Sequence, residues 1–253
     1  MLEMNVVFDL DGTICYDGQT IATVLTDFLR TAIYRQPEHR LIFASARPVR
    51  DILPLLPAEL SETYLIGGNG TMLYYQGKCQ WLNYLAPADS QFLIKYIKEK
   101  NLDYLVDEAW DYALHGPSLA HLSSKIDVLK QGRKRDLDEI KDPIKILLAN
   151  YPSQEQVLTD LQHLSVTCTC YPREKCLDFT NQGVNKASAL KKLFGSEEYI
   201  AFGNDHNDVE MLRQGTVSVA IGDNQAIQEI CDYHLSESPQ AIIKLLKELL
   251  LPS

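Results

Sequence analysis

Short apolar runs that end in polar turns alternate with helical patterns along most of this 253-residue chain. Five of the runs are short and apolar enough to be buried strands, namely residues 6–8, 41–44, 64–66, 199–202 and 217–221. Between them, apolar residues recur with the period of a helix over residues 20–34, 184–194 and 207–213. Strands that alternate with helices predict an α/β fold with a parallel sheet covered on both faces.

The middle of the chain has a different pattern. Residues 71–82 indicate a hairpin around Gln76-Gly77. Beyond it, the patterns indicate helices over 89–100 and 154–164 and strands over 144–149, 166–171 and 176–179, in an order typical of antiparallel sheets. The parallel pattern resumes near Gly183. We therefore predict a discontinuous core of residues 1–80 and 181–253, with an α+β domain of residues 81–180 inserted into it.

Composition and charge exclude several classes of protein. The chain is 45% hydrophobic and 23% charged, which is a globular balance and not that of a disordered or fibrous protein. No apolar run reaches the roughly 18–20 residues that a membrane span needs, and residues 1–5 lack the pattern of a secretory signal. The formal net charge of −10 argues against a nucleic-acid partner. We expect a cytoplasmic protein with reduced cysteines.

Two carboxylates, Asp9 and Asp11, follow the first predicted strand in the segment Phe-Asp-Leu-Asp-Gly-Thr of residues 8–13. Ligands of open α/β sheets bind outside such strand ends. Two anions this close together favour a cation between them, and Mg²⁺ prefers carboxylates, waters and phosphate oxygens. One Asp could then attack a phosphoryl group while the other transfers protons. The alternative is an ordinary Asp-Gly turn.

A second polar segment, Gly-Asn-Asp-His-Asn-Asp, follows the predicted strand at 199–202 and occupies residues 203–208. A helix cap explains one or two of these residues, whereas ligation of a hard cation explains the whole run. Two further residues suit an anion site at helix starts: Ser45, with Arg47 two residues later, and Lys186. Taken alone, Ser45 is better explained as a helix cap and Lys186 as a surface residue.

These motifs follow one another in the order, and at the strand ends, that are typical of the haloacid dehalogenase (HAD) superfamily. Residues 66–71, Ile-Gly-Gly-Asn-Gly-Thr, and 184–190, Val-Asn-Lys-Ala-Ser-Ala-Leu, resemble its Cof-type branch in particular. The resemblance implies a Rossmann-like parallel-sheet core with an inserted α+β cap of the C2 type. It also implies a Mg²⁺-dependent phosphatase that hydrolyses a small phosphorylated metabolite, such as a sugar phosphate, through an aspartyl-phosphate intermediate.

The resemblance gives each motif residue an expected role. Asp9 matches the nucleophile, and Asp11 matches the general acid and base. The positions that match phosphate-binding residues are Ser45, Lys186, Asn69 and Asn207. The positions that match metal ligands are Asp9, Asp11 (through its backbone carbonyl), Asn204, Asp205 and Asp208.

The sequence departs from the family at Asn204, where most members have a metal-binding Asp. An amide oxygen can bind Mg²⁺ but brings no charge, so Asp205 or Asp208 is expected to supply the missing carboxylate.

Two other functions remain open at this point. The same core suits a phosphomutase, which returns the phosphoryl group to a sugar instead of to water. It also suits a sugar-phosphate-binding protein without turnover. The inserted domain is expected to select the substrate, and its candidate contacts are Trp110, His115, His121 and Arg173. The sequence predicts neither the identity of the substrate nor the oligomeric state.

Overall fold

The computed structural model describes residues 4–172 and 174–250. The candidate substrate contact Arg173 therefore lies outside the described residues. The described chain contains an eight-stranded sheet and a five-stranded sheet. Strands from both ends of the sequence form the larger sheet, which we call the core sheet, and strands from the middle form the smaller one, which we call the cap sheet.

The strands are named here in chain order. Before the insert they are β1 (Met4–Phe8), β2 (His39–Ala44), β3 (Tyr64–Gly67), β4 (Met72–Tyr75) and β5 (Lys78–Leu82). In the middle they are β6 (Asp103–Asp107), β7 (Tyr112–His115), β8 (Lys145–Ala149), β9 (Val166–Tyr171) and β10 (Cys176–Asn181). After the insert they are β11 (Tyr199–Gly203), β12 (Val217–Ile221) and β13 (Tyr233–Leu235).

The α-helices are α1 (Thr23–Leu29), α2 (Val49–Ile52), α3 (Pro87–Lys100), α4 (Gln154–Leu161), α5 (Lys186–Phe194), α6 (Val209–Gln214), α7 (Gln225–Gln228) and α8 (Pro239–Leu250). A π-helical turn, Arg30–Tyr34, continues α1. Short 3₁₀ turns lie at Leu53–Leu55, Leu60–Glu62, Gly68–Gly70, Pro117–Leu122, Leu137–Glu139 and His206–Asp208. No helix in the described part of the chain has the length and apolarity to cross a membrane.

The core sheet has the strand order β13-β12-β11-β1-β2-β3-β4-β5. Its strands are parallel from β13 to β3, and β4 runs antiparallel to both of its neighbours, β3 and β5. Alternate residues of β1 enter apolar clusters on opposite faces, with Val6 and Phe8 on one face and Val7 on the other. A strand buried on both faces needs a continuous apolar run, which explains why the sequence pattern located β1 correctly.

The cap sheet is antiparallel, with the strand order β7-β6-β8-β10-β9. One of its faces packs on the helices α3 and α4 through residues such as Leu93, Val157 and Phe179. On the opposite face, Leu147 lies beside Asp178 in the register of β8 and β10, and both residues line the cavity between the two sheets. The predicted α/β fold, with a parallel-sheet core and an inserted α+β unit, is confirmed.

A buried ion cluster joins the core to the cap. Arg50 on α2 is fully buried, and its Nη2 donates to Oδ1 of Asp107 on β6 at 2.9 Å and to Oδ2 of Asp51 at 2.7 Å. Its Nη1 donates to the backbone oxygen of Trp110 at 2.7 Å, and the guanidinium lies over the ring of Tyr112. These contacts fix the position of the cap relative to the core sheet.

The chain leaves the core sheet after Leu82 and leaves the cap sheet after Asn181. The two crossings are neighbours, because Nδ2 of Asn181 donates to Oδ1 of Asn83 at 3.0 Å. The division of the chain into a core of residues 1–80 and 181–253 and an inserted domain of residues 81–180 stays a prediction. Both crossings lie close to the predicted boundaries.

Several elements differ from the sequence pattern. The helix predicted over 20–34 begins at Thr23 and widens into the π turn. The pattern did not predict strand β6, because Asp residues at both its ends are typical of loops. Both carboxylates are buried, and each has a partner distant in the sequence. Asp107 pairs with Arg50, and Asp103 accepts from the backbone N–H of Ser118. The sequence pattern also did not predict the edge strands β7 and β13 or the short helix α7.

Candidate active site

The carboxyl ends of the central parallel strands meet at one edge of the core sheet. Asp9 follows β1, Ser45 follows β2, and Asn204 follows β11. The backbone N–H of Asp9 donates to Phe202 of β11, which continues the parallel ladder to the point where the carboxylate emerges. The fold thus brings the separate sequence motifs together, as the strand pattern predicted.

Asp9 is almost fully buried and is held on both carboxylate oxygens. Its Oδ1 accepts from Nζ of Lys186 at 2.6 Å, and its Oδ2 accepts from Oγ1 of Thr13 at 2.9 Å. Burial and the charge of Asp208 raise the pKa of Asp9 to about 7, although Lys186 acts in the opposite direction. The carboxylate therefore depends on nearby positive charge to stay ionised.

Lys186 occupies the first turn of α5, where Asn185 caps the helix by accepting from the backbone N–H of Ser188. Its ammonium group is 1% exposed and lies between Asp9 and Asp208, 2.7 Å from Oδ1 of the latter. Burial acts to lower the pKa of Lys186, but the two carboxylates outweigh it and raise the pKa above its ordinary value. Lys186 is therefore a permanent buried cation at the floor of the site.

Asp208 and Asp205 organise the loop after β11. Oδ2 of Asp208 accepts from the backbone N–H groups of Asn204 and Asp205, while its Oδ1 accepts from Lys186. Asp205 caps the following turn by accepting from the backbone N–H of His206. Both carboxylates are thus engaged in holding the loop, and the atom of this loop that faces Asp9 belongs to Asn204.

Oxygen ligands converge beside Asp9. One terminal amide atom of Asn204 lies 3.0 Å from the backbone oxygen of Asp11 and 3.2 Å from Oδ2 of Asp9. If this atom is the nitrogen, it donates to both oxygens; if it is the oxygen, the three oxygens form one face for a cation. Adjacent ligands of an octahedral Mg²⁺ ion with bonds of about 2.1 Å lie about 3.0 Å apart. With the amide oxygen of Asn204 on this side, the donor set and these two distances fit Mg²⁺.

A glycine makes room for this arrangement. Gly12 has a positive φ of 78°, and a Cβ on it would lie 2.1 Å from Nδ2 of Asn204. Within the described residues, no three His, Cys, Asp or Glu side chains come together as a metal site. The fit to Mg²⁺ thus rests on one carboxylate, one carbonyl and one amide.

Asp11 projects away from this cluster and pairs with Arg47. The guanidinium binds the carboxylate through two hydrogen bonds, Nε to Oδ2 at 2.7 Å and Nη2 to Oδ1 at 2.5 Å. Nη2 also donates to the backbone oxygen of Gly18 at 2.7 Å. The Asp11 side chain is 45% exposed, so it can reach a substrate once it leaves Arg47. The sequence pattern placed Arg47 near the site but assigned it no partner.

Three further expected phosphate-binding residues follow parallel strands of the core sheet, at the same edge as Asp9. Ser45 is fully buried, and its Oγ accepts from the backbone N–H of Arg47 at 3.1 Å. Asn69 has a positive φ of 56°, and its Oδ1 accepts from Nδ2 of Asn207 at 3.1 Å. Asn207 itself lines the cavity above Asp9.

A cavity of about 480 Å³ separates the catalytic edge of the core from the cap sheet. Of the substrate contacts suggested by sequence, His121 lines it. Trp110 and His115 are not among its lining residues: the indole N–H of Trp110 donates to Tyr74, and His115 stacks on Tyr104.

The cap contributes polar residues that the sequence analysis did not single out. Lys145 is almost fully buried, and its Nζ donates to the backbone oxygen of Ala46 and to Oδ2 of Asp178. Asp178 also accepts from Asn69 at 2.8 Å, and Tyr171 accepts from the same amide at 2.9 Å. All three cap residues line the cavity. Strand positions give no sequence signal for such contacts, because each partner is distant in the chain.

A protein-family model for haloacid dehalogenase-like hydrolases matches residues 6–244. The chain belongs to this family. The predicted resemblance to HAD hydrolases is therefore confirmed, and with it the expectation of a hydrolase.

Among sequence relatives, the chain is 27% identical over 221 residues to the HMP-PP phosphatase of Escherichia fergusonii, covering 81% of this chain and 79% of that protein. It is also 27% identical over 231 residues to the HMP-PP phosphatase of Serratia proteamaculans, with coverage of 85% and 82%. Both relatives are named as phosphatases, in agreement with the function expected from the motifs.

Solved structures share the whole fold. A protein from Streptococcus mutans UA159 superposes with a TM-score of 0.83 at 16% identity, covering 99% of both chains. A haloacid dehalogenase-like hydrolase from B. subtilis gives a TM-score of 0.81 at 19% identity, covering 97% of this chain and 99% of that one. A subclass IIB sugar phosphatase gives 0.75 at 19% identity, with coverage of 97% and 98%. These likenesses include the inserted cap as well as the core.

Proposed function

We propose that the protein is a Mg²⁺-dependent phosphatase that hydrolyses a small phosphorylated metabolite through an aspartyl-phosphate on Asp9. One observation carries this proposal: the Asp9 carboxylate has the ammonium of Lys186 on one oxygen, and the side-chain amide of Asn204 lies between its other oxygen and the backbone oxygen of Asp11. Membership of the hydrolase family and the phosphatase names of the sequence relatives support it.

Each residue of the site has a defined part in the proposed reaction. Asp9 attacks phosphorus in line with the leaving oxygen, and Lys186 keeps the attacking carboxylate ionised. Asp11 leaves Arg47 and takes up a proton from solvent. It gives this proton to the leaving oxygen and then, as a carboxylate again, takes a proton from the water that cleaves the aspartyl-phosphate. Ser45 and Asn207 hold the phosphoryl oxygens, and Asn69 positions Asn207 by accepting a hydrogen bond from its amide.

The proposed metal ligands are Asp9, the carbonyl of Asp11 and Asn204. An ion held there would supply positive charge to the oxygens of the transferred group. In this proposal Asp205 and Asp208 act through the loop, since their carboxylates hold its backbone and leave the amide of Asn204 to face Asp9.

The cavity limits the size of the substrate. Its volume of about 480 Å³ suits a small metabolite and leaves no room for a macromolecule in this position of the cap. All six cysteines are unpaired, which supports action in the reducing cytoplasm.

The test is release of inorganic phosphate from 4-nitrophenyl phosphate and from a panel of sugar and polyol phosphates. We expect release with Mg²⁺ and its loss in excess chelator, with recovery when Mg²⁺ is restored. Isomerisation of a sugar phosphate without phosphate release would instead identify a mutase. Binding of sugar phosphates without turnover of any of them would identify a sugar-phosphate-binding protein that is not an enzyme.

Replacing Asn204 by Asp is expected to lower the Mg²⁺ concentration that gives half-maximal activity by about tenfold or more. The substitution adds a second carboxylate to an oxygen cluster that has only one, and cation affinity rises with ligand charge. Asn204→Ala, which removes the oxygen, should raise the required concentration. Calorimetric titration with Mg²⁺ checks both variants, and equal affinities in all three proteins would show that Asn204 does not bind the ion.

A further inference from the structure

Tyr171 brings a hydroxyl group from the cap to the catalytic centre. It ends β9, pairs with Cys176 of β10, and lines the cavity above the core sheet. Burial raises its pKa well above the ordinary value, and the charges of Asp178, Asp208 and Asp9 add to the effect. The hydroxyl therefore stays protonated and lies within the electrostatic reach of the proposed nucleophile.

The hydrogen bonds around Asn69 leave the hydroxyl proton of Tyr171 uncommitted. The carboxylate of Asp178 can only accept, so the amide atom that faces both Asp178 and Tyr171 is the nitrogen. Its two hydrogens go to Oδ2 of Asp178 at 2.8 Å and to Oη of Tyr171 at 2.9 Å. The amide oxygen of Asn69 already accepts from Asn207. Tyr171 thus accepts one hydrogen bond, and no acceptor for its own proton is present among residues 4–172 and 174–250.

We propose that Tyr171 is a catalytic residue whose hydroxyl donates a hydrogen bond to a non-bridging oxygen of the phosphoryl group transferred to Asp9. The inference rests on the proposed phosphatase function and adds a donor from the cap to a phosphate site that sequence motifs place wholly in the core. Asn69 fixes the phenol oxygen from one side, and this leaves the O–H to point into the cavity. A donor held in this way needs no reorganisation when charge shifts in the transition state.

A non-bridging oxygen is the acceptor that the neighbours favour. Asn69 donates to Tyr171 and accepts from Asn207, a proposed phosphate-binding residue. The proposed proton donor to the leaving oxygen, Asp11, is held separately by Arg47. The hydrogen bond is consequently expected to be independent of the leaving group. Because Tyr171 belongs to the cap, the phosphate site has this donor only when the cap is in the position seen in this structure.

The test compares the unmodified protein with Tyr171→Phe, which removes only the hydroxyl oxygen. We expect kcat/KM to fall about 10- to 100-fold, as for loss of one donor to a charged oxygen. The fall should be equal for 4-nitrophenyl phosphate and phenyl phosphate, since the two differ in the leaving group. Tyr104→Phe is the matched control, because its ring stacks on His115 and it is not among the residues that line the cavity. A larger loss for phenyl phosphate would place Tyr171 at the leaving oxygen and overturn the proposal.

A binding measurement separates this proposal from the proposed function. Orthovanadate with Mg²⁺, titrated by calorimetry, reports the phosphate site without turnover. Tyr171→Phe is expected to weaken its binding about tenfold or more at an unchanged melting temperature, which a purely structural role would not produce. If the unmodified protein binds vanadate but hydrolyses no ester, the proposed function fails. The ratio of the vanadate affinities of the unmodified protein and Tyr171→Phe still decides whether Tyr171 contacts the phosphoryl group. Equal vanadate affinities, or no vanadate binding by either protein, would overturn the role of Tyr171.

Discussion

Replacing Asp9 by Asn is expected to lower kcat for phosphate release by about 10³-fold or more while the protein stays folded. An amide is a poor nucleophile towards phosphorus and forms no acyl phosphate. Lys186 keeps one carboxylate, Asp208, so the buried ammonium is not left unpaired. Phosphate release measures the activity, and acid quenching of the unmodified protein during turnover should trap the phosphorylated Asp9.

Asp27→Asn serves as the control for this variant. Asp27 lies on α1, and its exposed carboxylate pairs with Arg30 at the surface. Its removal should leave kcat unchanged. Release that survives Asp9→Asn at more than a few per cent would show that another group attacks phosphorus.

Replacing Arg50 by Met is expected to lower the free energy of unfolding by about 3–5 kcal/mol, because the loss of one partner strands buried charges. Asp107 is fully buried, and burial raises its pKa despite the opposing charge of Arg50. The cation–π contact with Tyr112 and the hydrogen bond to Trp110 are lost as well. Urea denaturation followed by the fluorescence of the two tryptophans measures the change.

A surface arginine gives the comparison for this stability measurement. Arg213 and Glu210 form an exposed pair at 3.4 Å, so Arg213→Met should leave the unfolding curve unchanged within error. Adding Asp107→Asn to Arg50→Met should recover part of the loss, since it removes one of the stranded charges. If Arg50→Met unfolds at the same urea concentration as Arg213→Met, the buried cluster does not hold the cap to the core.

The sequence predicted those parts of the fold and site that depend on local pattern. Strands such as β1 and β11 are buried on both faces and read as apolar runs, and each ends at a polar motif. These features were enough to locate Asp9 and Asn204 at the same sheet edge. The identity of the family also followed from the motifs and is confirmed by the family match.

The features that escaped prediction depend on partners far apart in the sequence. Strand β6 carries the buried Asp107, which accepts a hydrogen bond from Arg50, 57 residues earlier. Tyr171 reaches the site through Asn69, 102 residues away. Nothing in the local sequence around either residue distinguishes it from a surface position, because the two partners meet only after the cap has packed on the core.

Asn83 and Asn181 are in hydrogen-bond contact where the chain enters and leaves the inserted segment. Because its two ends are neighbours, a linker of a few residues could join strand β5 to helix α5 in place of the whole segment. The same arrangement allows the cap of a related protein to be grafted at one point on the surface. Under the proposed function, in which the inserted segment selects the substrate, exchange of this segment would change the substrate while the residues at the ends of the core strands stay the same.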